Sequence, residues 1–290
     1  GYAAGLTAAA GLLGPIIPPS MMFIIFGVIA QVSIADMFTA GIVPGIVLFV
    51  LILTLALVQA KRNHTPVAGG STLPTGSRIK ATLPGLATMA IPAVIVGGIS
   101  FGVFTPTESA AAAIVVALIF GAVIFRELPL RSLPRIIDRT VTNSAVVLFL
   151  ILAAKIFGWV LTFNQVPQHV ADFIVSLTDN PTLFMILIVI FLSFVGMFLD
   201  GIAALIILTP ILLPVATAQY GIDPIQFGVV MALTLILGLL TPPVGTGLYI
   251  AAALSNVSIL RLSKLLLPYV MATLAVILMV VFLPWTVRPF

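Results

Sequence analysis

Gly14-Pro15-Ile16-Ile17-Pro18-Pro19-Ser20 reads G-x-x-x-P-P near the start of the chain. Gly238-Leu239-Leu240-Thr241-Pro242-Pro243-Val244 repeats the pattern at an offset of 224 (238 minus 14). Each copy interrupts an uncharged apolar stretch, residues 3–30 and 225–258. Two adjacent prolines remove two N–H donors and collide with the preceding turn, so each stretch reads as a helix broken near its middle. In a bilayer such a break persists only where protein or a water-filled cavity satisfies the freed backbone. Broken helices at matching places in two halves of a chain point to a transporter's binding site. A proline kink between packed helices is the bland alternative, and the paired occurrence weighs against it.

Composition sets the frame for that motif. The chain is 61% hydrophobic and 7% charged, with mean hydropathy +1.32. A soluble domain carries about 25% charged residues, so this is an integral membrane protein. The uncharged runs 37–60, 81–107, 109–125, 181–199 and 224–260 match or approach the roughly 20 residues of a spanning helix. They lack the alternation of a membrane barrel, so the fold class is all-α. Net charge is +4, but the basic residues sit in short loops, where they set orientation rather than bind nucleic acid. Cysteine is absent, which excludes disulfides, thiol catalysis and cysteine metal sites. His64 and His169 are isolated, so no transition-metal site is expected. There is no nucleophile–base constellation, Walker motif or dinucleotide fingerprint. The expectation is a protein without catalytic residues or cofactor. The first residue is Gly and no charged signal region precedes the first apolar run, which reads as the back part of a longer protein.

Charge fixes the direction of each crossing. Lys61, Arg62, Arg78 and Lys80 lie in the polar loop 61–80. Arg126, Arg131, Arg135 and Arg139 lie with Glu127 and Asp138 in 126–139, and Arg261 and Lys264 follow the second break. Basic loops belong in the cytoplasm, so these three regions face inside. Residues 126–139 read as an amphipathic helix on the membrane surface. Loop 164–180 carries Asp172 and Asp179 without Lys or Arg and faces outside. By parity, 3–30 crosses outward and 225–258 crosses inward, which makes an inverted repeat. Gln31-Val32-Ser33-Ile34 against Asn256-Val257-Ser258-Ile259, and Pro44 against Pro268, extend the match. An apolar pair, 181–219, precedes the second break, and its counterpart is expected upstream of residue 1.

Proline in a helix frees the carbonyl four residues back. Pro18 and Pro242 would free Gly14 and Gly238, while Pro19 and Pro243 would free Pro15 and Leu239. With the hydroxyls of Ser20 and Thr241, these are hard oxygens suited to Na⁺. Asp200, in Gly196-Met197-Phe198-Leu199-Asp200-Gly201, joins the two halves of 181–219. A carboxylate at the bilayer centre costs ~2.5–3.5 kcal/mol and is usually functional. The turn holds no Lys or Arg, which favours a re-entrant hairpin over an aqueous cytoplasmic turn. One cation site is therefore expected at Gly14, Pro18 and Ser20, and another at Gly196, Asp200, Thr241 and Gly245. Substrate is expected beside them, at Pro19, Ser20, Thr241 and Pro242. Thr105-Pro106-Thr107-Glu108 fits a capping box, and Lys155 lies inside a span, where such a lysine more often snorkels or lines a crevice than pairs with an acid.

GPIIPPS at 14–20, TPTESAAAA at 105–113, GMFLD at 196–200, TPILLPVA at 209–216, GIDPIQFGVV at 221–230 and GLLTPPVGTGLYIA at 238–251, with Gly1-Tyr2 and the Ala-rich run after it, resemble the large membrane subunit of tripartite ATP-independent periplasmic (TRAP) transporters. The family's N-terminal helices and first re-entrant hairpin are absent from the stretch, leaving one cation half-site incomplete. The resemblance implies an inverted-repeat, elevator-type secondary transporter of the bacterial inner membrane, multi-pass and embedded in the lipid bilayer. It implies Na⁺ as coupling ion and an organic acid of the sialic acid or C4-dicarboxylate class as substrate. A soluble periplasmic substrate-binding protein would deliver it, and a small membrane subunit would complete the scaffold. Residues 1–30 and 181–258 (hairpin 181–219, broken helix 225–258) would move, against a scaffold within 31–180 and the terminal span 259–290. A stand-alone carrier without a binding protein is the nearest alternative. A channel or an intramembrane enzyme is further away.

Overall fold

The computed structural model describes residues 2–62, 85, 88–165, 169, 172, 176, 178–243, 245–255 and 257–287. Within them the fold is all-α. Helix α1 (Tyr2–Ala10) is followed by a non-helical turn, and α2 (Met21–Ala30) starts on an extended Ser20. Neither half exceeds ten residues, about 15 Å of helix each, so the two together cover one bilayer core. Helix α3 (Ile34–Arg62) is long and carries Pro44 in its interior. Helix α4 (Ala90–Ser100) leads through a short turn to α5 (Pro106–Leu118). The expected capping box opens α5: Thr105 Oγ1 accepts from Glu108 N at 3.3 Å, and Glu108 Oε2 accepts from Thr105 N at 2.8 Å. Helix α5 runs on into a π-helical stretch, Ile119–Ile124.

Helix α6 (Leu133–Phe163) spans 31 residues. The paired helices α7 (Pro181–Gly196) and α8 (Gly201–Ala218) are capped by Asn180 and Asp200. Helix α9 (Pro224–Gly238), capped by Asp223, ends at the second break; α10 (Thr246–Ser255) and α11 (Ile259–Phe282) follow. Among the described residues five helices are long and apolar enough to cross a membrane: Ile34–Lys61, Pro106–Ile124, Leu133–Leu161, Gly201–Ala218 and Ile259–Phe282.

The chain divides into two compact units, Gly1–Val58 with Phe149–Phe290, and Gln59–Leu148. In the first, α9 is buried on every side from Gln226 to Gly238, as an apolar-all-round helix must be. Helices α7, α8 and α11 pack on it, and α8 also packs on α2. The halves of the broken helices pair crosswise, α1 with α10 and α2 with α9. Exchanging α1 for α9 and α2 for α10 maps one pair onto the other, as an inverted repeat requires. At the ends of α7 and α8, the Tyr220 ring stacks on Phe184 with centroids 4.3 Å apart, and its hydroxyl donates to Thr178 O at 2.8 Å. Burial pushes the Tyr220 phenol up, and the Asp179 carboxylate adds to this, so the phenol keeps its proton and remains a donor. In the second unit, α4 and α5 pack against each other.

Two segments differ from the sequence reading. Residues 126–139 are not a separate surface helix: 126–129 are non-helical, 130–132 form a 3₁₀ turn, and Leu133 starts the helix that continues to Phe163. No glycine or proline lies between Pro134 and Gly158, so the arginine-bearing turns and the span fuse. The expected span 83–101 is helical as a continuous element only over Ala90–Ser100, and 81–84 and 86–87 lie outside the described residues, as does most of the basic loop 61–80. Helix α11, the terminal span, packs along α9, α1 and α10. It buries Leu262, Leu266, Tyr269, Val276, Ile277 and Val280. Gln226 of α9, also buried, donates through Nε2 to Val280 O at 3.0 Å.

Candidate functional site: two broken helices and a hairpin tip

At the first break the backbone leaves the helix after Ala10 and re-enters at Met21. Ser20 is fully buried. Its hydroxyl donates to Pro15 O and accepts from Phe23 N at 3.3 Å, which caps α2. The Pro15 carbonyl is therefore not left open by Pro19. Gly14 is exposed, and a Cβ there would meet nothing nearer than Gly11 O at 3.7 Å, so no close backbone approach requires glycine at this position within the described residues. Pro18 is buried and Pro19 half-buried. Helix α3 closes the outer side: a Cβ at Gly41 would run into the Phe23 ring and lie 3.2 Å from Ile16 O.

At the second break α9 ends at Gly238 and α10 begins at Thr246. Thr241 Oγ1 donates to Leu237 O at 2.8 Å, Thr241 N to Gly238 O at 3.1 Å, and Leu248 N to Leu239 O at 3.1 Å. Two carbonyls read as freed, Gly238 and Leu239, are thus taken up again, because buried backbone acceptors find new donors. Gly245 has φ +21°, and a Cβ on it would sit 2.7 Å from Thr241 O, so only glycine fits. Both Pro-Pro bonds, Pro18-Pro19 and Pro242-Pro243, are cis.

The hairpin tip, Met197–Asp200, meets the second break through backbone. Gly196 and Gly238 cross so closely that a Cβ on Gly238 would fall on the Gly196 main chain. Gly245 N donates to Met197 O at 3.3 Å. Asp200 is exposed, and its Oδ1 accepts from Ile202 N at 3.0 Å and Ala203 N at 3.3 Å. Its carboxylate offsets the positive N-terminal end of α8. Gly201 next to it faces Met22 of α2, whose Cε would lie 2.7 Å from an added Cβ. The structure thus gathers Gly196, Asp200, Thr241 and Gly245 around the tip and the second break, and α8 links that group to the start of α2.

Chemically the region offers main-chain oxygens, the Thr241 hydroxyl lone pairs, and the N–H groups at the starts of α2 and α10. Helix N-termini favour an anionic group, and carbonyl-rich turns favour a small hard cation. Among the described residues no group of His, Asp and Glu could hold a metal ion through clustered side chains. Sequence reasoning missed the Gly196–Gly238 crossing, although a glycine in each motif was its signal. It also missed the Met197 carbonyl, for which nothing in the sequence stands out.

A cavity of about 400 Å³ lies on the other flank of the second break. Ala4, Thr7, Ala8 and Gly11 line it from α1 and the turn after it; Gly247 and Ala251 line it from α10.

Comparison with known proteins follows the same motifs. The sequence profile of the tripartite ATP-independent periplasmic transporter, DctM component, matches residues 1–286. The sialic acid TRAP transporter large permease protein SiaM of Vibrio cholerae is 36% identical over 286 residues, 98% of this chain and 66% of that protein. The 2,3-diketo-L-gulonate TRAP transporter large permease protein YiaN of Escherichia coli is 35% identical over 97% of this chain and 66% of its own length. The isethionate TRAP transporter permease protein DctMQ of Oleidesulfovibrio alaskensis is 36% identical over 98% of this chain and 44% of its own length. The chain spans about two thirds of the first two relatives and less than half of the third. With a family profile over nearly its whole length, the chain belongs to the DctM component family of TRAP transporters, as a large membrane subunit.

Proposed function

We propose that this chain is the substrate-translocating part of a Na⁺-coupled secondary transporter in the bacterial inner membrane, importing a small organic acid by an elevator movement. The observation that carries the reading is the crosswise pairing of two broken helices, with a hairpin tip seated on one of the breaks. Such an arrangement puts half-helix ends and irregular backbone at mid-membrane depth, where substrate and ion sites form. The relatives named above take a sialic acid, a diketogulonate and an isethionate, and that of Pseudomonas aeruginosa a C4-dicarboxylate, at 32% identity. All are small organic anions, and identities this similar do not choose among them. The class, not the compound, is therefore the proposal.

In this reading Thr241, Gly245 and the tip at Gly196–Asp200 hold one Na⁺ together with main-chain oxygens, and Gly14, Pro18 and Ser20 contribute to a second. Substrate carboxylate lies between the starts of α2 and α10, near Pro19, Ser20, Thr241 and Pro242. The groove between α1 and α10 seats a hairpin equivalent to α7–α8, which completes the first cation site. A soluble periplasmic protein hands over the substrate, and a small membrane subunit supports the scaffold. The test is uptake by proteoliposomes of the full-length transporter with a panel of organic acids. The expected result is uptake that needs both an inward Na⁺ gradient and the binding protein. Uptake indifferent to Na⁺ would overturn the coupling. Uptake without the binding protein would favour a stand-alone carrier.

A further inference from the structure

We propose that the cavity between the start of α7, the α8–α9 loop and the end of α11 binds a primary ammonium group, carried by an aminophospholipid headgroup or by a free amine. The cavity measures about 390 Å³. All of its lining falls within Phe149–Phe290, inside one compact unit. The hairpin tip lies at the other end of α7, about 24 Å away along the helix, so this cavity is separate from the two breaks.

Polar and apolar groups share its wall. Met185 and Val281 are buried and apolar, while Thr182, Tyr220, Asp223 and Gln226 bring side-chain oxygens. Gln226 is only 8% exposed, and its Nε2 is spent on Val280 O and Val281 O. No described group donates to its Oε1. Among the described residues the one sealed polar side-chain atom without a partner is Ser109 Oγ, so Gln226 Oε1 opens to the cavity as a free acceptor. Tyr220 gives its proton to Thr178 O and keeps its lone pairs.

Donors are spent here and acceptors remain. Thr182 N and Leu183 N, at the start of α7, go to Asn180 Oδ1, and Gln226 N of α9 goes to Asp223 Oδ2. Helices α8 and α11 both end at this level, and helix C-termini carry partial negative charge. Asp223 adds a full charge and is exposed. The Asp179 carboxylate is near enough to act on the Tyr220 phenol. Between Lys155 and Arg261 the sequence holds no Lys or Arg to balance these acids. An anion is therefore repelled. A bare metal ion finds no cluster of His, Asp and Glu among the described residues. An ammonium group brings one positive charge, N–H donors for the neutral acceptors, and a hydrocarbon stem that packs on Met185 and Val281.

Depth suits a headgroup. Helix α11 rises about 36 Å over its 24 residues, more than the roughly 30 Å of a hydrocarbon core. Arg261 and Lys264 stand near one end, and Trp285, 66% exposed, stands just past the other, as interfacial residues do. Val281, on the cavity wall, lies within about a turn of Trp285.

The test uses the purified full-length transporter. Native mass spectrometry compares retention of phosphatidylethanolamine and phosphatidylglycerol, and calorimetric titration compares ethanolamine and choline. Preferential retention of phosphatidylethanolamine assigns the ammonium to lipid; binding of ethanolamine without a lipid preference assigns it to a free amine. In either arm Asp223→Asn, which keeps an N-cap of equal quality, is expected to weaken binding about tenfold, or about 1.4 kcal/mol. Tyr220→Phe keeps the ring on Phe184 and should weaken it about threefold. Choline, which has no N–H donor, should bind about tenfold more weakly than ethanolamine. A wild type that takes neither amine, binding unchanged by Asp223→Asn, or choline equal to ethanolamine would overturn the proposal. Binding that appears only after Arg288→Ala would overturn it too, by assigning the place to the chain's own guanidinium. Uptake is not the readout, so a failure of Na⁺ coupling leaves this site standing, and a failure of amine binding leaves the transport reading standing.

Discussion

Gly238 and Gly14 occupy the same place in the repeated motif and have opposite surroundings. A methyl group on Gly238 would land on the Gly196 main chain, which no rotamer change relieves. Alanine gains about 1 kcal/mol of helix propensity over glycine, but overpacking costs about 1–3 kcal/mol or more, and here the obstacle is backbone. Gly238→Ala is therefore expected to lower the melting temperature in detergent, while Gly14→Ala, with open space around it, leaves it nearly unchanged. Equal melting temperatures would contradict the crossing of α7 and α9. Ser20 and Thr241 divide in a similar way. Ser20 both donates and accepts, so Ser20→Ala should cost about 1 kcal/mol as a lost cap, with more from the orphaned Pro15 carbonyl. Thr241 only donates, to Leu237 O, and keeps its lone pairs for a cation. Thr241→Val should raise the Na⁺ concentration for half-maximal uptake while the protein stays folded. Asp200→Asn keeps an N-cap of equal quality and so isolates the charge. If neither variant shifts the Na⁺ dependence of uptake, the cation assignment at the second break is wrong.

At the scale of elements, the broken helices and the capping box were legible because proline and cap chemistry act within a few residues. The fused α6 was not: an amphipathic turn and an apolar span join without a breaker, and no local signal marks the seam between them. The tie between α9 and α11 was equally hidden. Gln226 looks like an ordinary polar residue after a Pro-capped start, yet it is buried and reaches Val280 O and, at 3.5 Å, Val281 O, 54 and 55 residues away. Gln226→Leu should destabilise the pair by about 1–3 kcal/mol, because carbonyls near the end of α11 lose their donor. A thermal-shift measurement in detergent with no change on this substitution would show the tie to be dispensable.

On the scale of the whole molecule, the question is which helices travel together. Helix α11 packs on α9, α1 and α10, so in the proposed elevator it moves with the broken helices rather than standing still. These 290 residues hold no cysteine, so tethers can be introduced within them at chosen pairs. A cysteine pair at Gln226 and Val281, joined by a short bifunctional reagent, is expected to leave uptake intact. A pair at Ala153 and Ala203, which face one cavity between α6 and α8, is expected to arrest it. Arrest by the first tether and free transport with the second would move the sliding boundary to the α9–α11 contact.

The sequence by itself determined the membrane setting, the all-α class and the two breaks. Hydropathy, proline geometry and loop charge each act locally and leave marks that can be read along the chain. Tertiary structure alone decided what fills the breaks. Freed carbonyls at Pro15, Gly238 and Leu239 are taken by donors close in sequence but set by the fold, and Gly196 meets Gly238 only because α7 lies across the end of α9. Tertiary structure also decided that α11 is core. An apolar helix in a membrane looks the same in sequence whether it faces lipid or protein, since both neighbours are equally apolar.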